Sequence, residues 1–587
     1  MLLAQLKSLF QSTFSLERFF LLLCTITMVV TPTDAFTSRT MDLHRHHFLP
    51  KQQNDQNFRQ KALWQAYPAT TDDESSVDNE SLAQTTPHQH LVLIGGGHAH
   101  AQVLKALRNR PLDQLRVTLI DPQAEATYSG MVPGCIAGLY DARDTQIDIR
   151  ALAEWAHLDF VQDRVIDIDF DQKLVYTRGN PNDNDDVQPL AYDAVSIDIG
   201  STSRHMGDGS VPGVRQYTIP TRPIADLVRR LQTAANEYTT KMKDSREHSS
   251  SPLVPCRLVV VGGGVAGIEL ACAVHTQFTQ ATGETPHTTI LNAGSTLLPD
   301  ASAEARQRLH KILQERGIAV QHRAMVNRVE ETCVVLETQS GQSAMPAAKT
   351  VPFDHCIWAT GAAAHPLAWH LQHVRGLDVT NHGWIQVDEH LQSTSHEGVF
   401  AAGDCAHIVR SDGQPAPPKA GVYAVRAGPV LVQNLIRYLE NLQQCKQSAQ
   451  TTPKLEVYRP QEDFMKLIVV GSDRALGLRF GLALHGKWVL QMKDAIDQGF
   501  MRLFQNLPND VPRREGEYDT SQYDANDPLA LVNLPKPSEA ASLIQRTDDE
   551  VNWKEAWLVL RTMTKNEEYR QQVLEHISST KTPCTYA

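Results

Sequence analysis

Short aliphatic runs alternate with helix-like segments from residue 89 onwards. The runs HLVLIGGG (90–97), LRVTLIDP (115–122) and RLVVVGGG (257–264) have the unbroken Val, Leu and Ile content of strands buried on both faces. Strands of this kind that alternate with amphipathic segments are typical of βαβ units. The pattern therefore predicts an α/β fold built on parallel sheets.

The same strand–loop–helix pattern occurs twice. LVLIGGGHAHAQVLKAL begins at residue 91, and LVVVGGGVAGIELACAV begins at residue 258. Glycines in such a loop let the backbone approach a pyrophosphate, which lies at the helix N-terminus where free N–H groups favour negative charge. Two copies predict two dinucleotide-binding domains, and the candidate residues are Gly95 and Gly97 in the first loop and Gly262, Gly264 and Gly267 in the second.

The first loop departs from the G-x-G-x-x-G pattern, because His100 stands where the third glycine is expected. That glycine serves helix–strand packing and does not contact phosphate. We therefore expect His100 to change the packing and leave binding intact. His98 begins the helix, where the positive field disfavours imidazolium, so we expect it to be neutral. Both histidines are interpreted as structural or as lining the pyrophosphate site, in preference to a direct catalytic role.

In each predicted domain, the residues at the end of the strand that follows the glycine loop and its helix bear on how the dinucleotide is bound. Asp121 ends VTLID and is placed to accept a hydrogen bond from an adenosine ribose. The second domain has Asn292 and Ala293 there, which leaves the choice between NADH and NADPH open. Glu269, inside the second helix, either faces a nicotinamide or complements the helix dipole as a first-turn acid.

Composition excludes several classes of function. With 55 basic and 67 acidic residues the formal net charge is −12, and no dense basic run is present, so nucleic acid is not an expected partner. The nine cysteines form no C-x-x-C pair, which argues against a disulfide framework and a zinc ribbon. We predict no metal site.

The N-terminus has a different character. Lys7 and Arg18 precede the apolar run FFLLLCTITMVV (19–30), which has the length of a signal-peptide core. We predict a signal peptide over 1–35 and a disordered transit or linker segment over 36–88. Phe36 after the predicted cleavage position resembles the bipartite plastid-targeting presequences of algae with secondary plastids. The expected route is the secretory pathway, with a plastid as the destination implied by this resemblance.

Two later segments complete an ordered set of motifs. CIWATG (356–361) ends at Gly361, and GVFAAGDCA (398–406) contains Gly403 and Asp404. Together with the two glycine loops they resemble the pyridine nucleotide-disulfide oxidoreductase superfamily over residues 89–435. The resemblance implies two Rossmann-like domains of the glutathione-reductase type, FAD in the first, NAD(P)H in the second, and a hydrogen bond from Asp404 to the FAD ribityl chain.

Longer segments are similar to a narrower group. GGGHAH, YSGMVPGCIAGLY, YDAVSIDIGS and PPKAGVYAVRAGPVL resemble a subgroup that some bacteria fuse in front of selenophosphate synthetase. The motif order also resembles type II NADH dehydrogenases. These resemblances imply electron transfer from NAD(P)H through FAD to an acceptor such as a quinone, with Lys419 near the flavin pyrimidine edge. A lysine there would stabilise a reduced anionic flavin; the alternative is a solvated side chain.

Two other functions are weighed against quinone reduction. Dithiol members of the superfamily carry C-x-x-x-x-C where this chain has Cys135 alone, so a disulfide cycle is disfavoured. Cys356 and Cys405 are interpreted as packing residues, which makes sulfide or selenide oxidation a minority hypothesis. The third hypothesis is a flavin-binding regulatory protein with a weak nicotinamide site.

We predict these domain boundaries: FAD domain over 89–250 and 351–435, NAD(P) domain over 251–350, an α+β C-terminal domain over 436–530, and a partly helical tail over 531–587. The segment 488–507 carries Trp488, Met492, Ile496 and Phe500 at spacings of four. Such a stripe packs on its own domain, or in the type II dehydrogenase manner lies on a membrane surface. The sequence leaves the oligomeric state open.

Overall fold

The computed structural model describes residues 89–109, 111–112, 114–179, 188–206, 209–248, 255–337, 349–445, 453–508 and 534–580. The predicted signal peptide and linker, residues 1–88, lie outside the described residues.

The first stretch, up to residue 203, contains the first glycine loop. Its elements are β1 (Gln89–Ile94), α1 (His98–Asn109), β2 (Leu115–Ile120), β3 (Glu125–Thr127), α2 (Val132–Ile136), a 3-10 turn (Ala142–Thr145), β4 (Gln146–Asp148), α3 (Ile149–Ala156), β5 (Asp159–Val161), β6 (Val165–Asp169), β7 (Leu174–Thr177), β8 (Leu190–Ala191), β9 (Ala194–Ile197) and β10 (Thr202–Ser203).

The second stretch contains the second glycine loop. Its elements are α4 (Val214–Tyr217), β11 (Ile219–Pro220), α5 (Ile224–His248), β12 (Arg257–Val261), α6 (Val265–Thr282), β13 (His287–Asn292), α7 (Ala303–Glu315), β14 (Ala319–His322), β15 (Val326–Val329), β16 (Cys333–Leu336), β17 (Thr350–Pro352), β18 (His355–Trp358) and β19 (Ala362–Ala363).

The third stretch returns to the first fold and then builds the C-terminal region. Its elements are α8 (Pro366–Arg375), β20 (Ile385–Val387), β21 (Val399–Ala401), a second 3-10 turn (Gly403–Cys405), β22 (Ala406–Ile408), α9 (Gly421–Cys445), β23 (Lys466–Val469), β24 (Ala475–Arg479), β25 (Leu482–Gly486), α10 (Lys487–Gln505), α11 (Pro537–Gln545), α12 (Trp553–Lys565) and α13 (Glu567–Thr580).

Two five-stranded parallel sheets form the two nucleotide folds. The first has the order β21-β9-β1-β2-β5, and Leu91 pairs with Val117 on one side and Ala194 on the other. Leu91, Val92 and Leu93 are fully buried, because helices or further chain cover both faces of the sheet. The predicted α/β class with two Rossmann-like domains is confirmed.

The strand order of the second sheet shows which segments belong to the second nucleotide fold. Its order is β11-β18-β12-β13-β14, and Leu258 in β12 pairs with His355 in β18. This fold therefore reaches from β11 to β18, and the boundaries predicted at 250/251 and 350/351 fall inside it. The reason is that strand pairing joins segments about a hundred residues apart, which a local hydrophobic pattern does not reveal.

The C-terminal region is an α+β unit, as predicted. The antiparallel strands β23, β24 and β25 form a small sheet, in which Leu467 pairs with Gly477. Helices α10 to α13 pack around a core that includes Trp488, Met492 and Leu560. Within the described residues, no helix combines the length and the apolar character that crossing a bilayer requires.

Candidate functional site

The carboxyl ends of β1 and β12 open onto one cavity of about 1760 Å³. Pockets for a single drug-sized ligand measure roughly 300–1,000 Å³, so this cavity has room for more than one molecule. Both glycine loops contribute to its wall. Ligands of open parallel sheets bind at the carboxyl ends of the strands, which makes this cavity the candidate site.

Ten of the twelve residues predicted as site residues line this cavity: Gly97, His98, Asp121, Gly262, Gly264, Gly267, Glu269, Gly361, Asp404 and Lys419. The other two, Gly95 and Gly403, lie behind the wall against Asp198. A Cβ at Gly95 would come 2.4 Å from the Asp198 carbonyl oxygen, and one at Gly403 would come 2.4 Å from its Oδ1. The structure brings the predicted residues together; what each of them binds stays a prediction.

His100 takes the place of the third glycine without opening the loop. Its Nδ1 lies 2.6 Å from the Gly95 carbonyl oxygen and its Nε2 lies 2.8 Å from Ser196 Oγ. In the second loop a Cβ on Gly267 would lie 2.0 Å from the carbonyl oxygen of Gly262, which corresponds to Gly95. In the second loop Gly267 therefore packs closely against this carbonyl. In the first loop the equivalent carbonyl accepts a hydrogen bond from the imidazole of His100.

The protonation state of His100 follows from these contacts. A carbonyl accepts, so Nδ1 carries the hydrogen and Nε2 accepts from the Ser196 hydroxyl. Burial lowers the pKa of His100 to about 4, which keeps the ring neutral. This residue is fully buried away from the cavity, which supports the structural interpretation.

Asp198 is a site residue that the sequence analysis did not single out. It follows β9, and its Oδ2 accepts the backbone N–H groups of Ala99 at 3.0 Å and His100 at 3.4 Å at the start of α1. The pKa of Asp198 is raised to about 7, mainly by burial and in part by the nearby carboxylates of Asp404 and Asp121, against the lowering effect of the hydrogen bonds from Ala99 and His100. The sequence feature that could have identified Asp198 is its position directly after the buried strand β9, within the segment SIDIGS.

Asp121 and Asp404 lie in the cavity wall with part of their hydrogen-bonding capacity used. Asp121 accepts the N–H of Gly96 at 2.6 Å and that of Gln123 at 2.7 Å. Asp404 Oδ2 accepts from Ser201 Oγ at 3.0 Å and lies 3.5 Å from Arg222 Nη2. A carboxylate oxygen accepts more than one hydrogen bond, so both residues can still bind hydroxyl groups of a ligand.

His98 is the first residue of α1 and packs edge-on against Tyr128 and Phe500, with ring centroids 5.4 Å and 5.8 Å away. Burial lowers its pKa to about 4, so it is neutral as expected, although burial and not the helix field is the main cause. Among the residues that the structure describes, none hydrogen-bonds to its buried Nε2. This polar atom at the edge of the cavity suits a ligand partner.

Glu269 lies one turn inside α6 and not in its first turn, so the role of a dipole-complementing first-turn acid does not fit. Glu269 is one of the residues that line the cavity, and its Oε1 accepts the backbone N–H of Val469 at 2.9 Å. Burial raises the pKa of Glu269 to about 7, opposed by the positive charge of Lys493. The group can therefore hold or release a proton near neutral pH.

A buried ion pair on α10 stands beside Glu269. Lys493 Nζ lies 2.5 Å from Asp497 Oδ2 and also donates to the Gly130 carbonyl oxygen at 2.7 Å. Tyr128 Oη donates to Asp497 Oδ1 at 3.1 Å. This pair connects α10 to the loop after β3. The sequence analysis missed it because it recorded only the apolar positions of this segment.

The apolar stripe of α10 is inside the protein. Trp488, Met492 and Phe500 are buried, and Ile496 lines the cavity. The interpretation that the stripe packs on its own chain is confirmed. The alternative, a face lying on a membrane, is not supported, because a buried face is not available to lipid.

Lys419 and Asn292 have partners within the protein. Lys419 Nζ donates to the Ala406 carbonyl oxygen and lies 4.5 Å from the ring centroid of Trp384, and burial lowers its pKa to about 8. It is therefore not a freely solvated lysine. Asn292 Nδ2 donates to the carbonyl oxygens of Gly294 and Thr296, each at 3.0 Å, so this side chain braces its own turn.

The cysteines near the cavity are poor nucleophiles. Burial raises the pKa of Cys135 to about 11 and that of Cys405 to about 12, and the pKa of Cys356 is raised as well. A thiol at such a pKa is protonated at neutral pH, whereas the thiolate is the reactive form. The interpretation of these residues as packing residues agrees with this chemistry.

Comparison with known proteins agrees with this geometry. Residues 89–433 match the family model described as pyridine nucleotide-disulphide oxidoreductase. A type II NADH:quinone oxidoreductase of Haemophilus influenzae is 24% identical over 377 residues, which cover 60% of this chain and 81% of that protein. The mitochondrial external alternative NAD(P)H-ubiquinone oxidoreductase B3 of Arabidopsis thaliana is 23% identical over 346 residues, 57% of each chain, so this chain spans little more than half of that relative.

A solved structure gives the same fold. The sulfide:quinone oxidoreductase of Aquifex aeolicus superposes with a TM-score of 0.55 at 16% identity, over 72% of this chain and 92% of that one. At this identity the likeness concerns the fold alone. The family match covers more than half of the chain, including both glycine loops and Asp404, and the chain therefore belongs to the pyridine nucleotide-disulphide oxidoreductase family.

Proposed function

We propose that this protein transfers electrons from NAD(P)H through bound FAD to a quinone. The observation that carries the proposal is that two glycine loops, one in each nucleotide fold, open onto the same cavity, which has room for more than one ligand. The two quinone-reducing relatives named above support the choice of reaction.

The residues of the first fold suit FAD. Gly97 lines the cavity just before α1, while the N–H groups of Gly96, Ala99 and His100 are bound by Asp121 and Asp198. Asp121 and Asp404 keep acceptor capacity for the sugar hydroxyls. The unpartnered Nε2 of His98 adds a further polar atom in the same wall. When bound, FAD supplies the redox chemistry, because it accepts a hydride and passes on two electrons.

The second fold suits a nicotinamide dinucleotide. Gly262, Gly264 and Gly267 line the same cavity, and Glu269 follows them on α6. The absence of a reactive thiol near the cavity among the described residues favours direct hydride transfer over a dithiol cycle.

Proton balance gives Glu269 a role. NAD(P)H, one proton and a quinone yield NAD(P)⁺ and a quinol, so each turnover takes up one proton from the surroundings. Glu269, with its pKa raised to about 7, can hold that proton at the cavity wall at neutral pH. The positive charge of the neighbouring Lys493 lowers the pKa of Glu269, and the negative charge of Asp497 raises it.

Anaerobic titration of the yellow, FAD-loaded protein with NADH and with NADPH tests the proposal. We expect rapid loss of the visible flavin absorbance with at least one donor and its return on addition of a quinone. Cys135→Ser serves as a control and should retain full turnover. Protein that binds FAD but is reduced by neither donor would refute the proposed function.

A further inference from the structure

Asp198 lies directly against the first glycine loop. A Cβ on Gly97 would come 2.2 Å from Asp198 Cγ, and a Cβ on Gly403 would come 2.4 Å from its Oδ1. The carboxyl group fits there because neither position carries a side chain. Asp198 is buried and belongs to the wall of the cavity, so it is part of the surface that a ligand of the first loop meets.

The first N–H groups of α1 fall into two sets. Asp198 Oδ2 accepts those of Ala99 at 3.0 Å and His100 at 3.4 Å. No described residue accepts the N–H groups of Gly97 and His98, and both residues line the cavity. Free N–H groups at a helix N-terminus bind phosphate, and in a nucleotide fold of this type the pyrophosphate lies there. The FAD pyrophosphate and the Asp198 carboxyl group therefore bind neighbouring N–H groups of one helical turn.

The surroundings of Asp198 are negatively charged. Asp121 and Asp404 line the same cavity, and, besides burial, the charge of each raises the pKa of Asp198. No described cation pairs with Asp198. Arg222 Nη2 lies 3.5 Å from Asp404 Oδ2 instead, and Lys419 Nζ donates to a backbone carbonyl oxygen. A pyrophosphate at the loop adds to this negative charge.

Three neighbouring groups keep one protonation state near neutral pH. Burial lowers the pKa of His98 and of His100 to about 4, so both rings are neutral. Burial raises the pKa of the Cys405 thiol to about 12, so this thiol keeps its proton. The pKa of Asp198 itself is raised to about 7, mainly by burial, so this carboxyl group changes its charge near neutrality.

A bound pyrophosphate shifts this balance towards the protonated carboxyl group. Each FAD phosphate is a strong acid and stays ionised near neutral pH. Like charges that share a buried site do not both stay ionised, and the weaker acid takes the proton. A protonated carboxyl group also offers an O–H donor to a phosphate oxygen, whereas a carboxylate only accepts.

We propose that Asp198 takes up a proton from the solvent when FAD binds, and that the neutral carboxyl group forms part of the FAD site. The inference rests on the FAD-binding part of the proposed function and does not depend on the electron donor or acceptor. Asp198 is thereby a binding residue that the glycine pattern does not contain.

Calorimetric titration of the flavin-free, full-length protein with FAD counts this proton. The titration is run in two buffers with different ionisation enthalpies, because the heat that the buffer contributes is proportional to the number of protons transferred. At about pH 8 we expect uptake of about one proton per FAD, and at about pH 5.5 almost none, because Asp198 is then already protonated. Riboflavin, which lacks the pyrophosphate, should bind without proton uptake. No uptake with FAD at about pH 8, or equal uptake with riboflavin, would overturn the proposal.

Variants assign the proton to Asp198. Asp198→Asn keeps an oxygen that accepts the N–H groups of α1 but cannot ionise, so it should lose most of the proton uptake. The wild-type Kd for FAD should rise up to about tenfold per pH unit above about pH 7, and that of Asp198→Asn should rise much less. Lys419→Gln tests the neighbouring group whose pKa is lowered to about 8, and Asp549→Asn is the exposed control; both should keep the uptake. Unchanged uptake in Asp198→Asn, or loss of uptake in Lys419→Gln, would refute the assignment.

Infrared difference spectroscopy gives a measurement on the wild-type protein alone. FAD binding at about pH 8 should add the carbonyl stretch of a protonated carboxyl group. Absence of this band would contradict the proposal, and its presence in Asp198→Asn would assign it to another carboxyl group.

Reduction by NAD(P)H separates this inference from the proposed function. If neither NADH nor NADPH reduces the bound flavin, the proposed electron transfer fails while the proton count still decides the state of Asp198. If the flavin is reduced but FAD binds without proton uptake, the inference fails alone.

Discussion

Two corresponding positions, His100 and Gly267, contact the equivalent backbone carbonyl of their loops in different ways. Gly267 has no side chain and packs against the Gly262 carbonyl, whereas His100 donates a hydrogen bond to the Gly95 carbonyl and accepts one from Ser196. His100, which departs from the glycine pattern, is therefore a buried residue whose two hydrogen bonds connect the first loop to β9 of the central sheet.

Removal of this bridge should destabilise the first fold. His100→Ala leaves the Gly95 carbonyl and the Ser196 hydroxyl without a partner and creates a cavity, which together cost about 2–4 kcal/mol. Chemical unfolding of the FAD-loaded protein measures this loss. His310→Ala, on an exposed helix face, is the control and should change stability little. A loss below about 0.5 kcal/mol in His100→Ala would contradict the structural role.

Asp198 predicts a dependence of stability on pH. Its pKa is raised to about 7 in the folded protein, so between about pH 4 and pH 7 the folded state binds more protons than the unfolded state. The contribution of Asp198 to the free energy of unfolding therefore falls as the pH rises through this window, by at most about 1.4 kcal/mol for each pH unit, while buried histidines such as His98 and His100, with pKa lowered to about 4, contribute in the opposite direction. Asp198→Asn lacks this contribution, so the stability of the wild type relative to the variant should fall as the pH rises.

The thermal unfolding midpoint of the FAD-loaded protein, followed from about pH 4 to about pH 8, checks this. Asp549→Asn, at an exposed position, should follow the wild-type curve. A curve for Asp198→Asn that runs parallel to the wild type would show that Asp198 is ionised throughout.

At the scale of elements, α10 connects the C-terminal region to both nucleotide folds. Its apolar stripe packs inward, while Lys493 and Asp497 on the same helix contact the loop after β3 and stand beside Glu269. The spacing of the apolar residues at the helical period predicted the helix and its apolar face. It did not predict the buried ion pair, because charged residues on a helix are usually solvated.

The ion pair should show strong coupling. Lys493→Met and Asp497→Leu each leave one buried charge without its partner, at a cost of about 3–5 kcal/mol, and the double variant should cost much less than the sum. A double-mutant cycle by chemical unfolding measures the coupling. The exposed pair Lys311–Glu315, 71% and 59% exposed, provides the reference cycle, with coupling below about 0.5 kcal/mol. Additive losses at 493 and 497 would rule out a coupled pair.

At the scale of the whole molecule, the two nucleotide sites share a cavity but belong to different sheets. Gly95 has a φ of +91° and lies against Asp198, so a side chain there disturbs the first loop. Gly267 lies against Gly262 in the second loop. The sites should therefore be separable by mutation.

Gly95→Ala should yield protein with little or no bound FAD, whereas Gly267→Ala should remain yellow and show at least about a tenfold higher KM for NAD(P)H, because only the second loop is displaced. Flavin content and stopped-flow reduction measure the two effects. Gly413→Ala is the control, since Gly413 has a φ of +70° in open space and lies outside the cavity wall. Loss of FAD in Gly267→Ala would contradict independent sites.

The sequence by itself determined the class of fold, the two glycine loops and ten residues of one cavity wall. These depend on local requirements: buried strands need aliphatic residues, and tight turns beside a helix N-terminus need glycine. Such requirements act within about ten residues, so they are visible in a single stretch of chain.

The tertiary structure alone decided which sheet β11 and β18 join, that Asp198 meets the start of α1, that Lys493 stands beside Glu269, and that both glycine loops open onto one cavity. Each of these contacts joins residues far apart in the chain. Which residues come into contact depends on how whole helices and sheets pack and on which charges become buried. Neither can be read from the few residues that surround one position in the sequence.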